Sequence, residues 1–260
     1  MIKNFHKNNF TLVLSGGGAL GIAHLGVLHD LEIQKRIPSE IVGTSMGGII
    51  GACMAIGMSE ADIYEEIKAF SSVTKWVKFS FSGNAIVDNA KIETIFSKLF
   101  GDKKMKETTI PLKLIATNLK DGHKRVFTSE DDVYIKDAVL ATMAIPGVFD
   151  EHIIECETYG DGFLCENLGV SEASFREVLA VDVLGENSFD KDLPDNFFKT
   201  LNVKEMFEKS MRLLIYNQSQ THIKNSDKNI YLIEPITKEY HTFSFHKHEE
   251  IRALGLGIVK

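Results

Sequence analysis

The sequence predicts an α/β fold with a mostly parallel sheet covered by helices, on three observations. First, the apolar, β-branched run Phe10-Thr11-Leu12-Val13-Leu14 passes straight into the glycine turn Ser15-Gly16-Gly17-Gly18-Ala19-Leu20-Gly21, and Ile22, Leu25, Leu28 and Leu31 follow at helical spacing. Second, Ile41-Val42 leads through the turn Gly43-Thr44-Ser45-Met46-Gly47 into an apolar helix that reaches about Gly57. Two strand–turn–helix units in succession are how a chain lays down parallel strands with helices over them. Third, residues 112–117 and 178–183 supply further apolar strands, and no repeat, low-complexity tract or linker interrupts the chain. Residues 1–260 are therefore expected to form one domain.

Along the chain, Pro38 breaks the first helix from the second strand, and Ser59 is the expected N-cap of a helix over 60–70, with Asp62 in its acidic first turn. Residues 71–83 are less regular. Asp88 or Asn89 caps a helix through Ile92, Ile95, Phe96 and Leu99 that Gly101 ends, and Lys103, Lys104 and Lys106 mark a solvated loop. Asp121-Gly122 reads as a hairpin turn between strands 112–117 and 124–128. A helix over 133–143 stops before Pro146, and an extended stretch over 147–157 leads into Tyr159-Gly160-Asp161-Gly162. After the strand at 178–183 come an acidic loop at 190–195, a long helix to about 220, a strand at 230–233 and a closing helix over 249–258.

Composition narrows the function classes. The 44% hydrophobic and 25% charged fractions are those of an ordinary globular protein. A net charge of −7 without a long basic run argues against nucleic acid as a partner. Cys53, Cys156 and Cys165 are odd in number and lack ligand-like spacing, which suggests buried thiols in a reducing compartment and no metal site. Residues 1–9 carry no apolar core of a signal peptide, and the apolar run near 49–58 is too short to span a bilayer. The expectation is a soluble cytoplasmic protein.

Gly43-Thr44-Ser45-Met46-Gly47 is a Gly-x-Ser-x-Gly turn with Ser45 at its tip. Its glycines leave room for a sharp strand-to-helix turn, and the start of the helix, with the Met46 N–H, favours developing negative charge. A plain glycine-rich helix entry is the alternative. The first glycine turn has three readings. Gly16, Gly18 and Gly21 match a dinucleotide fingerprint, but the second strand ends without the acidic residue that holds a ribose. Gly21-Ile22 does not supply the Gly-Lys-Ser/Thr of a P-loop. The third reading is an oxyanion hole built from the N–H groups of Gly16, Gly17 and Gly18, which requires a nearby serine. No histidine has the local context of a catalytic base, and His246-Lys247-His248 has no partner cluster for a metal. Asp161, between Gly160 and Gly162, either projects its carboxylate from a tight turn or closes another hairpin.

Taken in order, residues 15–21, the turn 43–47, Ala144-Ile145-Pro146-Gly147-Val148-Phe149 and Asp161-Gly162 resemble patatin-like phospholipases, over about residues 12–170. The resemblance implies a three-layer α/β/α fold and a Ser–Asp dyad, with Ser45 as nucleophile and Asp161 as proton acceptor. It implies that Gly16, Gly17, Gly18 and Met46 form the oxyanion hole and that Gly21, Gly43, Gly47 and Gly162 shape the turns. The implied substrate is a phospholipid, lysophospholipid or other acyl ester, with transient contact at a membrane surface and no cofactor or metal. Leu20 stands where the family usually has Arg or Lys, Phe163 where it has Gly or Ala, and Asn167-Leu168-Gly169 where it has Asn-x-Pro. Two alternatives stay open: an α/β-hydrolase esterase or acyltransferase with a Ser-His-Asp triad, and a lipid- or acyl-thioester-binding protein with little turnover. The aromatic and lysine stretch Lys75-Trp76-Val77-Lys78-Phe79-Ser80-Phe81 reads either as a membrane-facing lid or as packing, and Met206, Phe207 and Met211 as core rather than an acyl-chain tunnel.

Overall fold

The computed structural model describes residues 5, 8–74, 89–190, 192, 193, 195 and 199–259. The stretch 75–81 lies outside them. In chain order the elements are β1 (Thr11–Leu14), α1 (Ala23–Ile33), β2 (Glu40–Thr44), α2 (Met46–Ala55), α3 (Glu60–Thr74), α4 (Asn89–Phe100), β3 (Leu112–Asn118) and β4 (Lys124–Phe127). They continue with α5 (Ile135–Met143), β5 (His152–Ile154), β6 (Glu157–Asp161), β7 (Glu177–Val181), α6 (Lys199–Asn225), β8 (Asn229–Ile233) and α7 (His248–Ala253). The described strands form one sheet in the order β5-β6-β3-β2-β1-β7-β8, with β4 paired to β3. The five strands from β3 to β8 run parallel, and β4, β5 and β6 are antiparallel additions at the β3 side.

The alternation of strand residues fills two cores. Leu12, Leu14, Leu114, Leu179 and Val181 face one way, onto α1, α2, α4 and α5. Val13, Val42, Ile115, Val178 and Ala180 face the other way, onto residues 168–173 and the Ile223 end of α6. The result is three layers, the second helical one thin. Helix α4 shows how sequence sets the packing. Ile92, Phe96 and Phe100 recur every fourth residue and are buried, and Gly101 ends the helix at φ +58°.

Four expectations need correction. The stretch 147–157 contains a hairpin, β5 to β6, whose turn puts Glu155 and Cys156 at positive φ. Cys156 is consequently exposed and Cys165 half-buried, so only Cys53 is a buried thiol. Met206 and Phe207 are exposed, Phe207 at 69%. Helix α6 has 27 residues, about 40 Å, and outruns five-residue strands, so its N-terminal half has no sheet to cover. The closing helix is only six residues, His248–Ala253.

Topology decides where a site can form. From β1 the chain steps to β2 and β3 on one side and returns to β7 and β8 on the other. At such a reversal the loops leaving the carboxyl ends of adjacent strands part company and open a crevice. The glycine turn leaves β1 there, and the Ser45 turn leaves β2 beside it.

Candidate active site

Ser45 joins β2 to α2 at φ +54° and ψ −125°, a conformation that a side chain disfavours by about 1–3 kcal/mol and that survives only where neighbours enforce it. Two neighbours do so. The Ser45 N–H donates to Thr142 Oγ1 at 3.0 Å, and the Thr142 hydroxyl donates in turn to the Ile115 carbonyl of β3. One turn further, a Cβ on Gly47 would overlap the Leu14 carbonyl, so only glycine lets α2 start against the end of β1. The Met46 N–H, in the first turn of α2, has no acceptor among the described residues.

Sheet register brings the carboxylate to Ser45. Thr44 of β2 pairs with Ile115 of β3, and the next β3 residue, Ala116, pairs with Asp161 of β6. Asp161 therefore ends β6 at the level of Ser45, with β3 between them. It is a strand end rather than the tip of a tight turn, and Gly162 beyond it packs where a Cβ would overlap the Ile115 carbonyl. Ser45 Oγ donates to Asp161 Oδ2 at 2.6 Å, and the Phe163 N–H donates to Oδ1 at 2.9 Å. The Asp161 N–H is taken by the Ala144 carbonyl at 2.8 Å, and its carbonyl accepts from Thr117 Oγ1 at 3.0 Å. The residue is 0% exposed, and burial pushes its carboxyl up to about 7 against the opposing pull of the Ser45 and Phe163 hydrogen bonds.

The glycine turn divides its donors. The Gly16 N–H donates to the Asn167 carbonyl at 3.3 Å, and the Ala19 N–H to the Thr242 carbonyl at 2.8 Å. Between them the Gly17 and Gly18 N–H groups have no acceptor among the described residues. Gly18 sits at φ +56°, which turns the chain there without strain. The expected trio of donors is thus a pair, Gly17 and Gly18, because the Gly16 N–H is already engaged. The turn packs on the Ser45 side of the sheet, since a Cβ on Gly16 would lie 3.1 Å from Ser45 Cβ and one on Gly21 2.5 Å from Met46 Cγ. Gly43, next to last in β2, packs against the backbone of Gly48, where a Cβ would come 2.6 Å from Gly48 Cα. Leu20 points into the core, fully buried.

No described histidine hydrogen-bonds Ser45 or Asp161. His24 is buried with Nε2 2.9 Å from the Ser15 carbonyl, and burial lowers it to about 4, so it is a neutral donor to backbone. His152 pairs with Asp137, His241 with Glu208, and His248 with Tyr64, and the last two tie the C-terminal segment down. Among the described residues no group of three or more His, Cys, Asp or Glu gathers closely enough to hold a metal, and no helix is long and apolar enough to cross a membrane.

Three neighbours of the site had no role in the sequence reading. Thr142 holds the Ser45 N–H, Asn167 holds Gly16, and Asp182 lies buried just past β7 on the far side of the glycine turn. Asp182 left a signal of its own, a carboxylate inside the apolar run 178–183, and Asn167 stands at the family's Asn-x-Pro position. A pocket between α2, α3 and α4, lined by Met46, Ile49, Cys53, Ile67, Phe96 and Leu99, starts one residue from Ser45.

A serine on a strained strand-to-helix turn, bonded to a buried aspartate and flanked by free N–H groups, is a constellation suited to acyl transfer. The family model for patatin-like phospholipase matches residues 12–174, and the chain belongs to that family. It is similar to lysophospholipase NTE1 of Saccharomyces cerevisiae, with 26% identity over 96% of this chain and 17% of that protein. Lysophospholipase NTE1 of Candida albicans is also 26% identical, over 94% of this chain and 19% of its own length. The chain thus spans less than a fifth of these relatives. Among solved structures, VipD from Legionella pneumophila aligns with a TM-score of 0.47 at 12% identity, covering 95% of this chain and 67% of that one.

Proposed function

We propose that the chain is a serine lipid acyl hydrolase of the phospholipase A or lysophospholipase type, working through Ser45 and Asp161 without histidine. The observation that carries the reading is the 2.6 Å hydrogen bond from Ser45 Oγ to a carboxylate sealed from water. An ordinary aspartate, with a pKa near 4, is too weak a base for a serine hydroxyl. Burial raises the proton affinity of Asp161 until it titrates at about 7, and proton transfer then removes an unfavourable buried charge.

In acylation, Ser45 Oγ attacks the ester carbonyl carbon while its proton passes to Asp161 Oδ2. The carbonyl oxygen becomes an oxyanion that accepts hydrogen bonds from the free N–H groups of Gly17, Gly18 and Met46, each contributing about 3–4 kcal/mol in such sites. Collapse breaks the bond to the alcohol oxygen, which leaves with the proton from Asp161. Water repeats the sequence on the acyl-enzyme: Asp161 takes its proton, hydroxide adds to the carbonyl, and Ser45 departs as the protonated hydroxyl with release of the fatty acid. The membrane or micelle surface supplies the substrate.

The test is release of fatty acid from lysophospholipid and phospholipid vesicles. The wild-type protein should release it, Ser45→Ala should not, and a fluorophosphonate should label Ser45 and block release. Turnover that survives in Ser45→Ala would refute the nucleophile. Labelling of Ser45 without release from any acyl ester would identify a lipid-binding protein that has kept the site and lost the reaction.

A further inference from the structure

Gly16 is not a free donor, yet nothing larger fits in its place. A Cβ there would lie 2.5 Å from Asn167 Oδ1. Asn167 is fully buried and lies 151 residues further along the chain, and it holds Gly16 by both of its polar backbone groups. The Asn167 carbonyl accepts the Gly16 N–H at 3.3 Å, and Asn167 Nδ2 donates to the Gly16 carbonyl at 3.4 Å. This pairing fixes the amide orientation, because the reverse would set Oδ1 against the Gly16 carbonyl. It leaves Oδ1 buried with no hydrogen-bond partner. An unmatched buried acceptor is unfavourable, and an apolar side chain of similar size would fill the space without it. A role that needs the amide donor accounts for its presence.

Asn167 is itself held from behind. Its N–H donates to Gln218 Oε1 at 2.8 Å, and Gln218 Nε2 donates to the Phe163 carbonyl at 3.1 Å. Phe163 is the residue whose N–H holds Asp161 Oδ1. A connected set of hydrogen bonds therefore runs from the glycine turn through Asn167, Gln218 and Phe163 to the carboxylate beneath Ser45. We propose that Asn167 is a positioning residue: through Gly16 it sets the glycine turn's distance from Ser45, and through Gln218 it keeps that turn in register with Asp161. Gly16 serves as clearance for Asn167, and Gly17 and Gly18 do the donating. The inference rests on the reading of Ser45 as a nucleophile.

Because the free N–H groups meet their acceptor only once an oxyanion forms, misplacing them should act on the transition state and spare substrate binding. The experiment compares wild type, Asn167→Ala and Gln218→Ala by kcat and KM on a short-chain chromogenic ester, by the rate of Ser45 labelling with a fluorophosphonate, and by Tm. Asn167→Ala should lower kcat by about 10- to 100-fold with KM within about threefold, and should slow labelling in parallel. Gln218→Ala, at a half-buried helix position, should show the same pattern at about 3- to 10-fold and carries the test if Asn167→Ala does not fold. The acid limb of the pH profile, set by Asp161, should stay in place in both. A folded Asn167→Ala with wild-type kcat and labelling, or a Gln218→Ala that changes KM alone, would overturn the positioning role. Failure of wild-type Ser45 to label would instead refute the nucleophile, so the two failures are distinguishable.

Discussion

Asp161 and Asp182 are both fully buried, both stand at the carboxyl ends of strands, and they flank the glycine turn on opposite sides of β1. Burial pushes both carboxyls up, Asp161 to about 7 and Asp182 to about 6. They differ in what faces them. Asp182 Oδ1 accepts the Leu184 N–H at 3.0 Å, and its Oδ2 has no hydrogen-bond partner within ordinary range. It sits beside the Ser219 and Ser15 hydroxyls, which act with the Leu184 N–H to pull its carboxyl down against burial. Ser15 Oγ takes the Val183 N–H at 3.0 Å, so Asp182 and Ser15 lie in the packed wall of the glycine turn and not on a strained strand-to-helix turn. Asp161 faces Ser45, a hydroxyl held on a strained turn at the mouth of the crevice. A raised pKa marks both residues, and only geometry separates the proposed base from the strut.

The comparison breaks first, and by the largest amount, on paired substitutions. Asp161→Asn should lower ester turnover by at least about 1,000-fold, since the amide cannot accept the serine proton. Asp182→Asn should leave it within about threefold, as the Leu184 N–H keeps an oxygen acceptor. Comparable losses in the two, measured as kcat/KM, would put both carboxylates in one catalytic unit. Next, Thr142→Val removes the acceptor of the Ser45 N–H while keeping the shape. Turnover should fall about 10- to 100-fold with little change in KM, because the strained turn relaxes. An unchanged kcat would show that the turn is held by packing alone.

A third prediction concerns pH. For both aspartates the folded-state pKa lies above the unfolded value of 3.8, so between about pH 4 and 7 each holds its carboxyl proton more firmly in the folded protein, while His24, lowered to about 4, works in the opposite sense. The contribution of the two aspartates to stability should therefore fall as pH rises through that window, while activity, which in the proposed mechanism needs ionised Asp161, rises. Asp161→Asn should be more stable than wild type at pH 8, and the gain should exceed that of Asp182→Asn because Asp161 is shifted further. Urea titrations at pH 5 and pH 8 would measure it. The smallest expected effect belongs to His24. Neutral at all working pH values, it should add no titration of its own to kcat/KM between pH 5 and 9.

Local sequence made the proposed nucleophile legible and left its surroundings obscure. The Ser45 turn could be read because its physical requirements, glycine spacing and a following apolar helix, lie within a few residues of the serine. Asp161 could not be told from a hairpin on local grounds. Its place depends on the pairing of Ala116 with β6, and the family motif supplied what the neighbouring residues did not. The same holds for Gly16, whose N–H donates to the Asn167 carbonyl on a distant stretch of chain. Met206 and Phe207 read as core from their helical spacing and are exposed, because that spacing carries no record of where the sheet ends.

The central claim is that burial tunes Asp161 into a base for Ser45 near neutral pH. Infrared difference titration of the aspartate carboxyl, wild type minus Asp161→Asn, tests it most directly. The account predicts a midpoint near pH 7 that moves upward in Ser45→Ala, where the stabilising serine hydrogen bond is gone. A midpoint near 4, unmoved by Ser45→Ala, would contradict it.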